Sequence, residues 1–339
     1  MKKNVLFLLV IPVVLLTVNC CRREAQIECL KLSQSTLALI IDSTATLTAK
    51  ILPEDAANCE LLWKSYNEQV ATVDNGKVTA KGVGMVEIDV STKDGKYSTT
   101  CMVTVTHSLP IEPELVFVEG GTFLMGGFEE YVDPSELPQH SVTLSSFKIG
   151  KYEVTQKEWV AIMGDNPSLL QSNNYPVYGV SYNDIQKFLI LLNNATGKNY
   201  RLPTEAQWEF AARGGNKSMG YIYSGSNNPN DVAWFWGNTH SQPNPVGKKA
   251  PNELGIYDMS GNVFEWTNDE YRDYTGNAQM DPSACASTES MNIVVRGGSC
   301  FLDKMFHGNK HYSRVTNRQI TKPAFENNEE LGFRLCLDE

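Results

Sequence analysis

Between residues 27 and 106, apolar and polar side chains alternate in short runs that are separated by turn residues. The alternation is clearest in ATLTAKIL and TCMVTVT, where every second residue is apolar. Because successive side chains of a strand point to opposite faces, this pattern predicts strands with one buried face. Several such strands at this spacing predict an all-β sandwich and leave no place for a long helix.

Six strands are expected here, over residues 35–39, 44–52, 60–65, 76–81, 86–91 and 98–106. Asn75 and Gly76 both tolerate positive φ and predict a two-residue hairpin turn. Trp63 is the expected core tryptophan between the two sheets. The segments ILPEDA, LLWKSYNEQVATVDNGKVTAKGVGMVEIDV and CMVTVT resemble the bacterial Ig-like group 2 domain over residues 27–106. The resemblance implies a spacer or an adhesive unit, and we expect a spacer.

The first twenty residues have the organisation of an export signal. Lys2 and Lys3 precede an apolar run over residues 5–18, which is too short for a comfortable membrane span. The chain then reads LTVNCC, which resembles a bacterial lipoprotein signal with its lipid-accepting cysteine at Cys20 or Cys21. An ordinary cleaved signal with incidental cysteines is the alternative. Lipid chains would hold the mature protein on a membrane of the cell envelope, in either leaflet, without spanning it.

Charge and cysteine content narrow the partners. The chain has 39 Asp and Glu residues against 29 Lys and Arg and no long basic run, so we do not expect a nucleic-acid partner. Six cysteines follow the signal, at positions 29, 59, 101, 285, 300 and 336. Export would allow disulfides among them, and their connectivity stays open. Their spacing does not suggest a zinc site.

A second domain is expected after a linker over residues 107–114, HSLPIEPE, which has two prolines and no periodicity. Six motifs follow in order: FVEGGTFLMGG (117–127), YEVTQKEW (152–159), RLPTEAQWEFAARGG (201–215), ELGIYDMSGNVFEWTND (253–269), VVRGGS (294–299) and LGFRLC (331–336). Together they resemble the formylglycine-generating enzyme, or sulfatase-modifying factor, family over residues 115–339. The resemblance implies an α+β domain with much irregular structure and a C-type lectin-like fold.

Three capping-box spacings predict the starts of short helices in this domain. They pair Thr155 with Glu158, Ser181 with Asp184, and Thr204 with Gln207. In each, a side chain can satisfy the N–H groups that the first helical turn leaves without partners. Gly164, Gly197 and Gly214 lie near the expected helix ends, where a left-handed residue is favoured.

The family resemblance also implies a structural Ca²⁺ ion in the segment DMSGNVFE. Its ligands would be the side chains of Asp258 and Glu265 and the backbone carbonyls of Gly261 and Val263. Ca²⁺ prefers several hard oxygen ligands, and Gly261 allows the loop to curl so that carbonyls converge. The alternative is that the two carboxylates only accept backbone N–H bonds within the loop.

In catalytic members of the family, two cysteines lie between Gly-Gly-Ser and an Arg-x-x-x-Arg pair. They bind Cu(I) and use O₂ to oxidise a sulfatase cysteine to formylglycine. Counting forward from Ser299 places these positions at Leu302 and His307, and counting back from Arg314 places them at Met305 and Lys310. Paired thiolates suit Cu(I), and neither register supplies them, so we do not expect copper.

Cys300 is the one thiol in this stretch and the only candidate catalytic residue. It is expected to be a core residue or half of a disulfide with Cys285 or Cys336. A copper site rebuilt from Cys300 with Met305, His307 and His311 is a further alternative. The arginines of the motifs, at positions 296, 314, 318 and 334, are expected to hold the fold through buried carboxylate pairs.

These observations predict an exported, lipid-anchored protein whose second domain has lost the copper site and binds a ligand. Aromatic and polar residues of its loops would form the binding surface, namely Trp236, Tyr271, Phe306, His311 and Tyr312. Such residues suit a glycan or an envelope protein, and core packing is the alternative for Trp236. Two other functions stay open: an oxidase-type enzyme that acts on sulfatases through a rebuilt site, and a structural lipoprotein of a gliding or secretion machine.

Overall fold

The computed structural model describes residues 27–53, 60–127, 132–239, 241–286, 292–301, 310–322 and 330–339. The predicted export signal over residues 1–20, with Cys20 and Cys21, lies outside them. Within these ranges no helix is both long enough and apolar enough to cross a membrane. The described chain forms an all-β domain followed by a larger domain of strands and short helices.

The strands of the N-terminal domain form three sheets. They are β1 (Cys29–Leu32), β2 (Thr36–Ile40), β3 (Thr44–Thr46), β4 (Ala49–Leu52), β5 (Leu61–Ser65), β6 (Ala71–Asp74), β7 (Lys77–Ala80), β8 (Gly84–Thr92) and β9 (Ser98–Thr106). One sheet has the order β2-β9-β8-β5 and another the order β3-β7-β6, while β1 pairs with β4. β2 runs parallel to β9, with Thr36 opposite Met102 and Ile40 opposite Thr106.

The predicted alternation is present in β8, where Val86, Ile88 and Val90 are buried and Glu87 is exposed. Buried side chains of the two larger sheets share one apolar cluster. The region 44–52 does not form one strand as predicted. It divides into β3 and β4, which belong to different sheets, and Leu47 between them is buried. β1 and β6 were not predicted.

The turn prediction is confirmed, because Asn75 (φ 47°) and Gly76 (φ 83°) connect β6 to β7. Trp63 is only half-buried and packs against the edges of two apolar clusters, so it is not the fully enclosed residue that we expected. A side chain at position 76 would meet the Trp63 ring at 3.2 Å and the Leu47 carbonyl at 2.3 Å. Glycine at this position therefore lets the turn fold over Trp63.

The second domain contains the remaining strands and the helices. The strands are β10 (Leu115–Val118), β11 (Gly121–Met125), β12 (His140–Leu144), β13 (Phe147–Gly150), β14 (Phe264–Glu270), β15 (Gln279–Met280), β16 (Ile293–Arg296), β17 (Arg318–Thr321), β18 (Leu331–Gly332) and β19 (Cys336–Asp338). The helices are α1 (Gln156–Met163), α2 (Tyr182–Thr196), α3 (Glu205–Ala212), α4 (Pro229–Val232) and α5 (Trp236–Thr239).

Three small sheets organise this domain. Their orders are β10-β13-β19, β11-β12-β15 and β17-β16-β14-β18. Side chains of α1 and α2 share one buried apolar cluster with β14 and β16, and side chains of α3 share a second with β12 and β13. β14 and β16, which lie in two of the six motifs, are therefore adjacent strands of one sheet at the centre of the domain.

The helix predictions are confirmed. Thr155, Ser181 and Thr204 each cap a helix, with the capping box complete in α1, α2 and α3. Gly164 and Gly197 are left-handed C-caps of α1 and α2. The third helix ends at Arg213 in a right-handed conformation, and the left-handed Gly214 follows it.

Candidate functional site

The segment from Gly297 to Arg318, which would carry the copper site in catalytic members, is called the frame here and begins at the end of β16. Gly297 and Gly298 both have positive φ, at 95° and 76°. A side chain at position 298 would lie 2.8 Å from the backbone of Tyr312 and Ser313, so glycine is required for this close approach. The two glycines thus place Ser299 beside the segment that carries Arg314.

Cys300 is fully buried. Its backbone N–H donates to the Asn262 carbonyl at 2.9 Å, and its own carbonyl accepts from Thr239 Oγ1 at 3.2 Å. Burial raises the pKa of the Cys300 thiol well above its usual range, so the thiolate is disfavoured. Cys285, Cys300 and Cys336 are free thiols and Cys300 is buried, which agrees with the core alternative for Cys300 and not with the disulfide alternative.

Of the four positions that correspond to the copper ligands, only Lys310 lies within the described residues. Leu302, Met305 and His307 lie outside the described residues, as does Phe306 of the predicted binding surface. Lys310 begins a short 3₁₀ helix that ends at Ser313. In the sequence, no cysteine occurs between Cys300 and Cys336, so no second thiol is available in this stretch.

Each of the four motif arginines forms an ion pair with a buried glutamate, as predicted. Arg314 Nη2 lies 2.6 Å from Glu136, Arg318 Nη2 lies 2.6 Å from Glu205, Arg334 Nε lies 2.6 Å from Glu265, and Arg296 pairs with Glu209. All four pairs have side chains that are nearly or fully inaccessible. These cations are therefore neutralised by carboxylates inside the protein.

Arg318 lies against two tyrosine rings at the wall of a cavity of about 400 Å³. Its guanidinium carbon is 4.0 Å from the ring centroid of Tyr274 and 4.5 Å from that of Tyr271. The Tyr274 hydroxyl donates to Glu205 at 3.3 Å, and the Tyr271 hydroxyl donates to Asp273 at 3.1 Å. Of the predicted binding residues, Tyr271 packs against Arg318 but is not itself a lining residue of this cavity.

Asp269 lines the same cavity and was not predicted as a site residue. It accepts backbone N–H bonds from Glu205 and Ala284, each at 2.6 Å. Burial raises the pKa of Asp269 to about 6 despite these hydrogen bonds, and the neighbouring Glu205 carboxylate also raises it. The sequence TNDE around Asp269 gives no signal of this site, because the two N–H donors come from other parts of the chain.

The other predicted binding residues lie on different elements. Trp236, at the start of α5, is 43% exposed. His311 Nε2 lies 3.2 Å from Asp133 Oδ2, and Tyr312 packs half-buried against the cluster of α1 and α2. Among the described residues, the only ring contact that joins this set is His311 with Tyr312, at 5.6 Å. The described part of the predicted surface is therefore not one continuous patch.

Sequence reasoning missed the acidic partners of His311. Ligand atoms of Asp133, Glu136 and His311 lie within 4.8 Å of one another. Both Glu136 oxygens already accept from Arg314, at 2.6 and 3.0 Å, and Arg314 Nη2 is 3.0 Å from His311 Nε2. This cluster is thus organised around a guanidinium. The spacing of Asp133 and Glu136, which form a capping box, is its only sequence signal.

An apolar groove of about 390 Å³ lies near the frame. Leu169, Leu170, Tyr178 and Phe301 line it, with Glu330 at its side. The rings of Tyr178 and Phe301 are 5.4 Å apart, and Leu169 is 72% exposed. Ser299 Oγ donates to Glu330 at 2.8 Å, which connects the groove to the glycine pair.

The predicted calcium ligands lie in the loop that leads into β14, except for Glu265, which is the second residue of that strand. Asp258 Oδ2 accepts from the Gly247 N–H at 2.7 Å, while its buried Oδ1 has no hydrogen-bond partner. Glu265 accepts from Arg334 on both oxygens at 2.6 Å and from Trp208 Nε1 on Oε2 at 2.7 Å. Each carboxylate oxygen has two lone pairs, so Glu265 Oε1 retains one. The unpartnered Asp258 oxygen fits the predicted cation.

A third carboxylate, Glu153, holds the same loop and was not predicted. It accepts from Asn262 Nδ2 at 2.7 Å and from the Val263 N–H at 3.3 Å. Burial raises its pKa well above the usual range, and the Asp258 and Glu265 carboxylates raise it further. Buried negative charge of this kind is normally paired or bound to a metal, and Arg334 supplies one positive charge.

Comparison with protein families divides the chain in two. Residues 27–103 match the bacterial Ig-like domain (group 2), and residues 103–339 match the sulfatase-modifying factor enzyme 1-like domain. The second match covers more than half of the chain. Both recognitions made from the motifs are thereby confirmed.

The relatives of the chain include proteins named as a formylglycine-generating enzyme and proteins named as an inactive form of it. It is 39% identical to "Chaperone protein LppX" of Paenibacillus barcinonensis over 46% of this chain and 71% of the relative. It is 31% identical to "Inactive C-alpha-formylglycine-generating enzyme 2" of Bos taurus (52% and 54%) and 27% identical to "Formylglycine-generating enzyme" of Thermomonospora curvata (66% and 93%). The chain spans 38–39% of the chlamydial kinases that it also matches.

Among solved structures, "Treponema denticola variable protein 1" is similar with a TM-score of 0.60 and 28% identity. The similarity covers 69% of this chain and 98% of that one. The second domain therefore has a fold that is also found outside proteins named as enzymes.

Proposed function

Because residues 103–339 belong to the sulfatase-modifying factor enzyme 1-like family, behind an Ig-like domain, we propose that this chain is a ligand-binding member of that family. In this proposal an N-terminal lipid anchors it to the cell envelope. The Ig-like domain is a β-sandwich, and the second domain has a C-type lectin-like fold whose loops bind a glycan or an envelope protein. The chain does not oxidise sulfatase cysteines.

The state of Cys300 carries this proposal. Copper chemistry of the family type needs two soft thiolates that reach a common Cu(I) ion. Here the one thiol next to Gly-Gly-Ser is inaccessible, its protonated form is favoured, and the sequence has no second cysteine before Cys336. The name of the bovine relative indicates that inactive members of the family exist.

The arginine pairs support binding over catalysis. Arg314 and Arg318 are neutralised by Glu136 and Glu205, so they do not supply free positive charge to a reacting group. Arg318, paired with Glu205, instead forms part of the cavity wall beside Tyr274. Buried ion pairs hold this segment in place, so the loops around it can vary in sequence while the fold is kept. This arrangement suits a binding module.

The loss of oxidase activity is tested with a sulfatase-derived peptide that contains the target cysteine. We expect no formylglycine above a protein-free control when the purified chain is incubated with Cu(I), reductant and O₂, measured by mass spectrometry. Turnover above that control would overturn the proposal. The Cys300→Ser variant then assigns the activity, since turnover that it abolishes must depend on this thiol.

Binding is tested on a glycan array with the mature chain. We expect a glycan signal that falls at least tenfold in Tyr271→Ala, because this ring packs on Arg318, which lines the cavity together with Tyr274. Leu62→Ala, at an exposed position of the Ig-like domain, serves as the control and leaves the signal unchanged. A signal that Tyr271→Ala does not affect, or no signal for any glycan, would contradict a glycan site at this cavity.

A structural Ca²⁺ is part of the proposal, held by Asp258 and Glu265 side chains and by the Gly261 and Val263 carbonyls. The buried Asp258 Oδ1 without a partner supports it. An ion that binds only the folded state stabilises that state, so EDTA should lower the melting temperature and excess Ca²⁺ should restore it. Asp258→Ala should remove the response to Ca²⁺, while Asp273→Ala, at an exposed carboxylate, should keep it. A melting temperature that neither EDTA nor Ca²⁺ changes would exclude the ion.

A further inference from the structure

The two domains meet without a free linker. β9 ends at Thr106, and the next two N–H groups already donate to the last turn of α1: His107 to the Ile162 carbonyl at 3.3 Å and Ser108 to the Ala161 carbonyl at 2.8 Å. The last carbonyls of a helix lack partners within the helix and need others. The chain that leaves the Ig-like domain therefore caps a helix of the second domain.

The side chains at this junction also fit together. Gly164, the left-handed C-cap of α1, has no side chain, and an added Cβ would lie 3.2 Å from His107 Nδ1. The Thr106 hydroxyl donates to the Ser108 carbonyl at 2.8 Å, which fixes the turn between β9 and the cap. No residue between strand and helix is left to act as a hinge.

An apolar contact lies beside these hydrogen bonds. Val83 and Met85, at the start of β8, pack against the buried cluster of the second domain. Met85 Sδ is 3.6 Å from Asn194 Nδ2 on α2. Together with Ile190 and Leu191 they line a cleft of about 420 Å³ between the domains. Methionine adapts its shape to such irregular contacts.

The predicted linker then follows the surface of the second domain. Glu112 pairs with Lys198 at 3.1 Å, and Glu114 pairs with Lys151 at 3.0 Å. These exposed ion pairs contribute little energy. The Lys151 N–H also donates to the Glu114 carbonyl at 2.8 Å, so the end of the segment is held by the backbone as it enters β10.

We infer that the Ig-like domain is a docked structural part of the second domain, which it stabilises through α1 and α2, and not a freely jointed spacer. Independent movement of neighbouring domains is the usual expectation when their interface is small. Here the backbone hydrogen bonds follow β9 directly, so movement of one domain must break the cap of α1. The spacer role that the sequence suggested is thereby replaced by a fixed joint.

Hydrogen–deuterium exchange of the full chain tests this inference at the two donors. We expect the His107 and Ser108 amides to be protected, and to exchange at least tenfold faster in Met85→Glu, which places a charge in the apolar contact. Leu62→Glu is the matched control. It lies at the opposite end of the same sheet, opposite Ser91, whereas Met85 lies opposite Thr104, and Leu62 is 46% exposed.

A second variant approaches the contact from the other domain. Ile190→Glu on α2, where the side chain is 50% exposed, should accelerate the same two amides. Exchange of the Val86–Val90 amides in β8 checks that the Ig-like domain stays folded in each variant. Unprotected His107 and Ser108 amides in the wild type would overturn the inference. So would unchanged protection in both Met85→Glu and Ile190→Glu.

Discussion

Four glutamates and four arginines inside the second domain form pairs across long stretches of chain. Glu136 and Arg314 are separated by 178 positions, and Glu205 and Arg318 by 113. The sequence indicated that the arginines would meet buried carboxylates, but it did not identify them, because their separation carries no periodic signal. Removing one partner leaves a buried charge and costs about 3–5 kcal/mol, whereas replacing both together costs far less.

Asp269 allows a prediction about pH. Its side chain is 5% exposed and its pKa is raised to about 6 from 3.8. A raised pKa in the folded state means that this group stabilises the fold most below pH 4, and that this stabilisation is lost as pH rises to about 6. Asparagine cannot titrate, so the free energy of unfolding of the wild type relative to Asp269→Asn should fall by about 1–3 kcal/mol between pH 4 and pH 7.

Urea unfolding of both proteins at the two pH values measures this difference. Comparing the two chains removes the contribution of the other carboxylates, which are common to both. A difference that grows with pH would mean that the N–H bonds from Glu205 and Ala284 outweigh burial, and that the folded state prefers the charged form.

Short helices with complete caps were the most predictable elements. α1, α2 and α3 begin at the expected Thr and Ser residues because a capping box is a local signal. α4 and α5 span four residues each, which is too short for an apolar period to appear. β1 and β6 were missed for the same reason. The left-handed Gly297 and Gly298 were visible as residues, but their contact with Tyr312 and Ser313 depends on the tertiary fold.

The cap of α3 gives a prediction at this scale. Thr204 Oγ1 accepts from the Gln207 N–H at 3.1 Å, and Gln207 Oε1 accepts from the Thr204 N–H at 3.1 Å. Thr204→Ala removes the first bond and should lower the free energy of unfolding by about 1 kcal/mol. Ser172→Ala, at an exposed side chain of the same domain, is the control and should change it by less than about 0.5 kcal/mol. Equal values for the two variants in denaturant titrations would show that the cap contributes nothing.

At the scale of the whole molecule, two families in one chain could be recognised from ordered motifs. The joint between them could not. Two prolines in HSLPIEPE are typical of a linker, and only the fold brings His107 and Ser108 to the end of α1. For the candidate site, the sequence showed that the two cysteines of a copper site are not present at the expected positions. The cavity lined by Asp269, Tyr274 and Arg318 was not predicted, because its walls come from segments that are far apart in the chain.

The proposed anchor gives a prediction for the complete protein in a bacterial host. Replacing both Cys20 and Cys21 by Ser should move the protein from the membrane fraction to the soluble fraction after cell fractionation, because lipid attachment needs a thiol at that place. The single variants identify the cysteine that carries the lipid. Cys29→Ser, just beyond the signal, should leave the distribution unchanged. Membrane retention of the double variant would refute lipid anchoring.

The parallel pairing of β2 with β9 has a mechanical consequence for a chain tethered at its N-terminus and loaded through its second domain. Force would first reach β1, which pairs with β4, and would then enter β2 at Thr36 and leave β9 at Thr106. β2 and β9 lie side by side in the same direction. Pulling on opposite ends of parallel neighbours loads their hydrogen bonds in shear, so the bonds share the force and do not open one after another. We therefore expect the β2–β9 pair to resist tension between the N-terminus and the second domain.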